Sequence, residues 1–212
     1  MRVVAVIPAL NEEETVGRVV EVVRASRLVE EVIVVSDGST DGTAGVARSA
    51  GARVIELPVN VGKGGAMRVG VDSAPAEAYL FLDADLVGLT EHHVQKLLNP
   101  VLVGQVSMTL GLFGGGRLLT DLAHRLAPFL SGQRAVTTEV LRRISDLEVS
   151  RFGVEVALSR YVRTSRLPVR HVTLRDLSHR MKEEKLGFWR GVKARARMYL
   201  EIAYYLQRAG RG

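Results

Sequence analysis

The chain has 212 residues, 47% of them hydrophobic and 25% charged, which suits one folded domain with a sizeable core. It contains no Cys, which excludes disulfides and thiolate–zinc sites and makes a reducing cytoplasm the expected compartment. The net charge of +6 is unevenly placed: residues 1–85 carry 8 basic and 13 acidic side chains, residues 86–212 carry 21 and 10. The second half is therefore expected to face something anionic.

The apolar run that follows Met1-Arg2 is too short for a secretory signal, and acids come directly after it. Residues Arg2–Ile7, Val32–Ser36, Arg53–Leu57 and Tyr79–Asp83 read as strands, rich in β-branched or aromatic side chains. Between the first two, Val16, Val19, Val20 and Val23 recur at helical spacing, predicting a helix over Glu12–Ala25 with Asn11 as its N-cap. A second helix is expected from Thr40 or Asp41 to Ala50, closed by Gly51, and a third from Gly65 to Ser73. This alternation predicts a mostly parallel sheet flanked by helices, with right-handed crossovers.

Beyond Asp85 the pattern predicts a helix over Thr90–Leu98, a strand near Val106–Leu112, and a helix from Arg117 to Leu130 opened by Gly114-Gly115-Gly116. Helices over Thr137–Ile144 and Gly153–Arg163, a strand at Pro168–Leu174 and a basic amphipathic helix over Gly187–Arg208 complete the set. The longest uncharged stretch, Leu97 to Gly116, holds five Gly, a Pro, an Asn and a Gln, a poor membrane span.

On a parallel sheet, ligands bind beyond the carboxyl ends of the strands, and four polar loops fall there: 8–13, 36–41, 60–64 and 83–85. Asp83-Ala84-Asp85 follows an apolar strand, so two carboxylates flanking a small residue can meet one hard cation. Such an ion bridges phosphates and neutralises a departing diphosphate. Asp37 stands at a strand end, placed to accept from a base N–H, whereas Gly38, Ser39 and Asp41 are explained by a turn and cap. Lys63, between Gly62 and Gly64 and ahead of a helix, suits contact with phosphate or base.

Taken in order, Val-Ile-Pro-Ala-Leu-Asn-Glu-Glu, Val-Val-Ser-Asp-Gly-Ser-Thr-Asp-Gly-Thr, Asn-Val-Gly-Lys-Gly and Leu-Asp-Ala-Asp resemble the family 2 glycosyltransferases. The resemblance implies a GT-A fold, a Rossmann-like, mostly parallel α/β sheet that binds a nucleotide-diphosphate sugar with Mn2+ or Mg2+. It further implies that Pro8, Ala9, Glu12 and Asp37 surround base and ribose, that Lys63 contacts the nucleotide, and that Asp85 binds the metal. Asp83 and Ala84 are expected in the same pocket.

The second half is similar to glucosyl-3-phosphoglycerate synthases and related mannosyl enzymes in Phe113–Arg117, Ser131–Ala135, Phe152–Glu155 and His179. That similarity implies an acceptor phosphate gripped by Gly116 and Arg117, a donor contact at Gly132, a donor-sugar contact at Glu155 and a metal ligand in His179. A Gly-rich turn with an adjacent Arg is a good anion site, and a neutral imidazole is acceptable to manganese. Glu155 is the expected base if the reaction inverts and an orienting group if it retains.

One domain over residues 1–212 is expected, with a nucleotide-binding half (1–90) and an acceptor and metal half (91–212). The expected partners are a UDP- or GDP-sugar, a small anionic acceptor such as a phosphoglycerate, and a second copy in a homodimer, with no nucleic acid. A polyprenyl-phosphate acceptor or a non-catalytic basic module touching membrane through the C-terminal helix are the rival readings. A sugar nucleotidyltransferase fits poorly, because the loop after the first strand is acidic and lacks Gly.

Overall fold

A computed structural model describes residues 1–114, 132–143, 161 and 165–180. By its internal contacts the chain divides into two units, Met1–Ser178 and His179–Gly212. The first unit opens with β1 (Val3–Ala9), α1 (Val16–Ala25), β2 (Glu31–Asp37), α2 (Thr43–Ser49), β3 (Arg53–Leu57), α3 (Lys63–Ser73) and β4 (Ala78–Phe81). A short β5 (Leu86–Val87) and α4 (Glu91–Leu102) follow, then β6 (Met108–Gly114), β7 (Arg134–Thr137), α5 (Thr138–Arg142), β8 (Val169–Arg175) and β9 (Ser178–His179).

The main sheet has seven strands in the order β3-β2-β1-β4-β7-β6-β8, and β5 and β9 form a separate pair. β7 runs antiparallel to both β4 and β6, whereas the β1–β2, β1–β4, β2–β3 and β6–β8 pairings are parallel. The predicted α/β architecture holds, with one reversed strand inserted.

Alternation along β1 explains the layers. Val3, Ala5, Ile7 and Ala9 join one core with Val16, Val19, Val20 and Val23 of α1 and Val94, Leu97, Leu98 and Val101 of α4. Val4 and Val6 join the opposite core with Ala66 and Met67 of α3 and Val140 and Leu141 of α5. Both faces being covered, the strands are near-continuous apolar runs. Gly70 lets α3 lie close to this sheet: a Cβ there would stand 3.2 Å from Val6 Cγ2 and closer still to Cγ1.

Several predicted boundaries shift. α1 begins at Val16 because the Glu12 carbonyl accepts from both Thr15 N (3.1 Å) and Val16 N (2.9 Å), making a turn ahead of the helix. Asn11, expected to cap it, sits at φ 55° and serves another loop. α4 continues past Pro100 to Leu102, since Leu97, Leu98 and Val101 bury on both sides of the imino acid. β7 takes residues that the sequence reads as loop and the start of a helix, and α5 is only five residues long. The predicted helices over 117–130, 153–163 and 187–208 lie outside the described residues, fully or nearly so.

At the head of α4, Thr90 Oγ1 accepts from His93 N and His93 Nδ1 accepts from Thr90 N at 3.3 Å, a reciprocal cap. The ring also hydrogen-bonds the Arg175 backbone, so the neutral imidazole carries its proton on Nε2 and ties α4 to the end of β8. Burial pushes His93 below its ordinary value of 6.5; Lys96 and His92 act in the same direction, the Arg175 bond and Asp176 in the opposite one. The folded protein thus refuses a proton that the unfolded chain accepts, and stability is lost as pH falls below 6.5. Unfolding midpoints measured across that range should decline in the wild type, and His93→Gln, which keeps an acceptor and a donor, should flatten the decline.

Candidate nucleotide-sugar site

The carboxyl ends of β1, β2 and β4 carry the predicted loops. Pro8 and Ala9 lie opposite Val35 and Ser36 in the β1–β2 register, which brings the first two loops side by side. Asn11 Oδ1 accepts from Thr40 N at 2.9 Å, and Asn11 N donates to Ser39 Oγ at 3.2 Å. Glu12 N donates to Thr43 Oγ1 at 2.8 Å, and Glu13 Oε2 accepts from Gly42 N at 2.7 Å. Asp41 completes the weld by accepting from Glu13 N and Thr43 N. Burial raises the Asp41 carboxyl, but the Thr43 and Glu13 hydrogen bonds outweigh it and hold the group below its usual range.

Asp37 is 3% exposed, and its carboxylate accepts from Val61 N at 2.7 Å and Gly62 N at 2.9 Å. Its carbonyl accepts from Asn60 Nδ2 at 3.2 Å. Gly38 (φ +72°) leaves room for this approach, since a Cβ there would stand 2.8 Å from Asn60 N. Asp37 therefore fixes the third loop against the second, a structural duty that the sequence reading did not assign. Asp37→Asn keeps the shape but turns an NH2 toward one of two N–H donors. It should cost about 1–3 kcal/mol, read from the denaturation midpoint, and loosen the 60–62 loop to hydrogen exchange.

Gly62 (φ +86°) precedes α3, whose first residue is Lys63. Lys63 Nζ lies 2.5 Å from Asp83 Oδ1, and Gln133 Nε2 donates to Asp83 Oδ2 at 2.8 Å. Gly132 closes this cluster. A Cβ on it would stand 2.5 Å from Asp83 Oδ1 and 2.6 Å from Lys63 Nζ, so only a hydrogen fits. Lys63, Asp83 and Gly132, read from three distant stretches, thus meet at one point.

Gln133 and its fully buried neighbour Arg134 fall in the Ser131–Ala135 stretch singled out from the sequence, but neither was given a role there. Their signal was a four-residue strand too short to show alternation. Because β7 runs antiparallel to β4, with Arg134 opposite Phe81, the start of β7 reaches the edge where β4 ends.

Ala84 is buried at 3%, whereas Asp83 and Asp85 are partly buried. β5 begins directly after Asp85. Asp83 and Asp85, both partly buried and two positions apart, offer hard oxygen donors, so the chemistry fits a magnesium or manganese ion. His179, a partly buried residue of β9, follows Ser178, and β9 is the strand paired with β5. Gly116, Arg117 and Glu155 lie outside the described residues.

The family model for glycosyl transferase family 2 matches residues 4–152. Glucosyl-3-phosphoglycerate synthase of Mycolicibacterium smegmatis is 35% identical over 188 residues, covering 72% of this chain and 61% of that protein. The chain thus spans less than two thirds of that relative's length. Among solved structures, the Mycobacterium tuberculosis glucosyl-3-phosphoglycerate synthase in complex with Mn2+, UDP-glucose and phosphoglyceric acid superposes with a TM-score of 0.72. It is 31% identical, and the match covers 84% of this chain and 71% of that one. The same enzyme in complex with Mg2+ and UDP gives a TM-score of 0.70 at 30% identity, covering 84% and 71%. Those proteins bind a divalent ion with a uridine nucleotide at a fold that this chain shares.

Proposed function

As the chain belongs to glycosyl transferase family 2, we propose that it moves a hexose from a UDP- or GDP-sugar to a small phosphorylated acceptor such as a phosphoglycerate. The observation that carries this reading is the meeting of Lys63, Asp83, Gln133 and Gly132 at the edge where the donor loops open. In it, Pro8, Ala9, Glu12 and Asp37 frame base and ribose on loops already cross-tied before any ligand arrives. That preorganisation reduces the ordering cost of binding.

Asp85, Asp83 and His179, each with a ligand atom to offer, would hold Mn2+ or Mg2+. When bound, the ion neutralises charge on the departing diphosphate. Asp85 is the principal ligand in this reading, because both Asp83 oxygens already accept from Lys63 and Gln133. Lys63 meets the nucleotide, Gly132 leaves room beside it, Gly116 and Arg117 grip the acceptor phosphate, and Glu155 orients the sugar or takes the acceptor proton. A donor and an acceptor that are both phosphorylated suit the surplus of basic side chains over residues 86–212.

The test is direct. UDP-glucose and GDP-glucose, each with 3-phosphoglycerate and Mn2+, are incubated with the protein and the glycosylated phosphoglycerate is measured. Product that disappears with EDTA supports the reading. No product from either donor, together with no shift of the unfolding midpoint by UDP or GDP with Mn2+, overturns it.

A further inference from the structure

An open cleft of about 800 Å³ lies between α4 and β8. Among the described residues it shares none with the proposed donor or metal site. Its volume is in the range of small-molecule sites. Lys96 of α4 and Arg170 and Arg175, near the two ends of β8, line it; among the described residues Asp176 is the one acid in the lining. Asn99 adds an amide along the same helix, and Gln95 lines the cleft with its own amide donating to Glu91 Oε1 at 3.2 Å.

The charge state of these cations sets them apart. Arg2, Arg18, Arg48, Arg53 and Arg68 each pair with a carboxylate. Among the described residues, no ion pair engages Lys96, Arg170 or Arg175. Lys96 is partly buried where it lines the cleft. Unneutralised cations that line one concavity raise its potential and concentrate anions in it. The rear wall is braced, since His93 joins α4 to the end of β8 and Gly88 abuts the Asp176 backbone.

We infer that the α4–β8 cleft is a second anion-binding site, one that takes a small phosphorylated molecule bearing at least two negative charges. Hydrogen-bonding amides beside guanidinium groups suit phosphate oxygens and hydroxyls together. The same chemistry would serve the acceptor of the transfer reaction or a separate effector.

The experiment uses the full chain and inorganic tripolyphosphate as probe, titrated calorimetrically at low ionic strength with EDTA present. Lys96→Ala/Arg170→Ala should weaken one saturable binding event by roughly tenfold or more, the loss of two charge-assisted contacts. Lys63→Ala and Arg117→Ala should leave that event in place. Should the double variant unfold, Arg170→Glu, at an exposed position, provides the same reading. Binding equal in wild type and double variant, binding lost in Arg117→Ala instead, or no saturable binding would each overturn the inference. If the transferase is active, an unchanged acceptor KM in Lys96→Ala/Arg170→Ala with lost tripolyphosphate binding identifies an effector, and a raised acceptor KM places the acceptor here instead of at Gly116 and Arg117. The calorimetric result stands independently of whether transfer is detected.

Discussion

Asp85→Ala should abolish metal-dependent transfer and leave the fold unchanged. The neighbours on either side, Ala84 and Leu86, are core residues, whereas Asp85 itself is only partly buried. Its removal subtracts a carboxylate without opening a cavity in the sheet, so the unfolding midpoint should stay close to that of the wild type. The catalytic effect is of another order. A cation at a departing diphosphate stabilises the transition state by several kcal/mol, and each 1.36 kcal/mol is tenfold in rate, so kcat should fall about a thousandfold or more. Mn2+ affinity, followed by the paramagnetic resonance of the free ion, should weaken in parallel. A variant that retains wild-type affinity and rate would remove Asp85 from the metal shell.

Gly132→Ala tests the same centre by crowding it. The added methyl would stand 2.5 Å from Asp83 Oδ1 and 2.6 Å from Lys63 Nζ, nearer than real Cβ contacts come, so the ion pair must separate or rotate. A displacement of about 1 Å in a reacting constellation costs on the order of a hundredfold in rate. The expected result is a kcat loss of that size with Asp83 no longer held between Lys63 and Gln133. Gly45→Ala is the matched control. It lies in α2 with nothing within 4 Å of the new methyl, and should be kinetically silent. It should also be slightly stabilising, by about 0.5–1 kcal/mol, because alanine favours the helix. A Gly132→Ala enzyme as active as Gly45→Ala would show that the gap beside Asp83 has no catalytic use.

Much of the donor half could be read in advance because its signals are local. Runs of Val and Ile buried on both faces, as in β1 and β2, announce themselves, and the partly exposed β3 also falls over Arg53–Leu57 as expected. The loops that follow such strands lie at one edge by topology alone, which is why Asp37, Lys63 and Asp83 could be grouped from the sequence. What escaped depends on long-range pairing. Asn11 has the composition of a cap, but its side chain bonds Thr40, 29 positions away, instead of the helix beside it. Asp37 reads as a ligand-facing acid, but that its carboxylate also accepts from backbone groups of the third loop has no local signal. Gln133 is informative only once β7 is known to be reversed, which puts it 50 positions from Asp83 in sequence and at hydrogen-bonding distance in space. The pairing of β5 with β9 had no signal, since two-residue strands carry no period.

The reversed strand has one more consequence. β6 ends at Gly114 on the edge where the donor loops open, and Gly132 returns the chain to that edge ahead of β7. The register that ties Met108 to Val136 and Leu110 to Arg134 holds these two posts whatever joins them. Neither pairing draws on residues 115–131. Under the proposed acceptor role of Gly116 and Arg117, substitutions between the two posts are where one acceptor preference would be exchanged for another. The sheet, the donor loops and the acids that would hold the ion need not be redesigned.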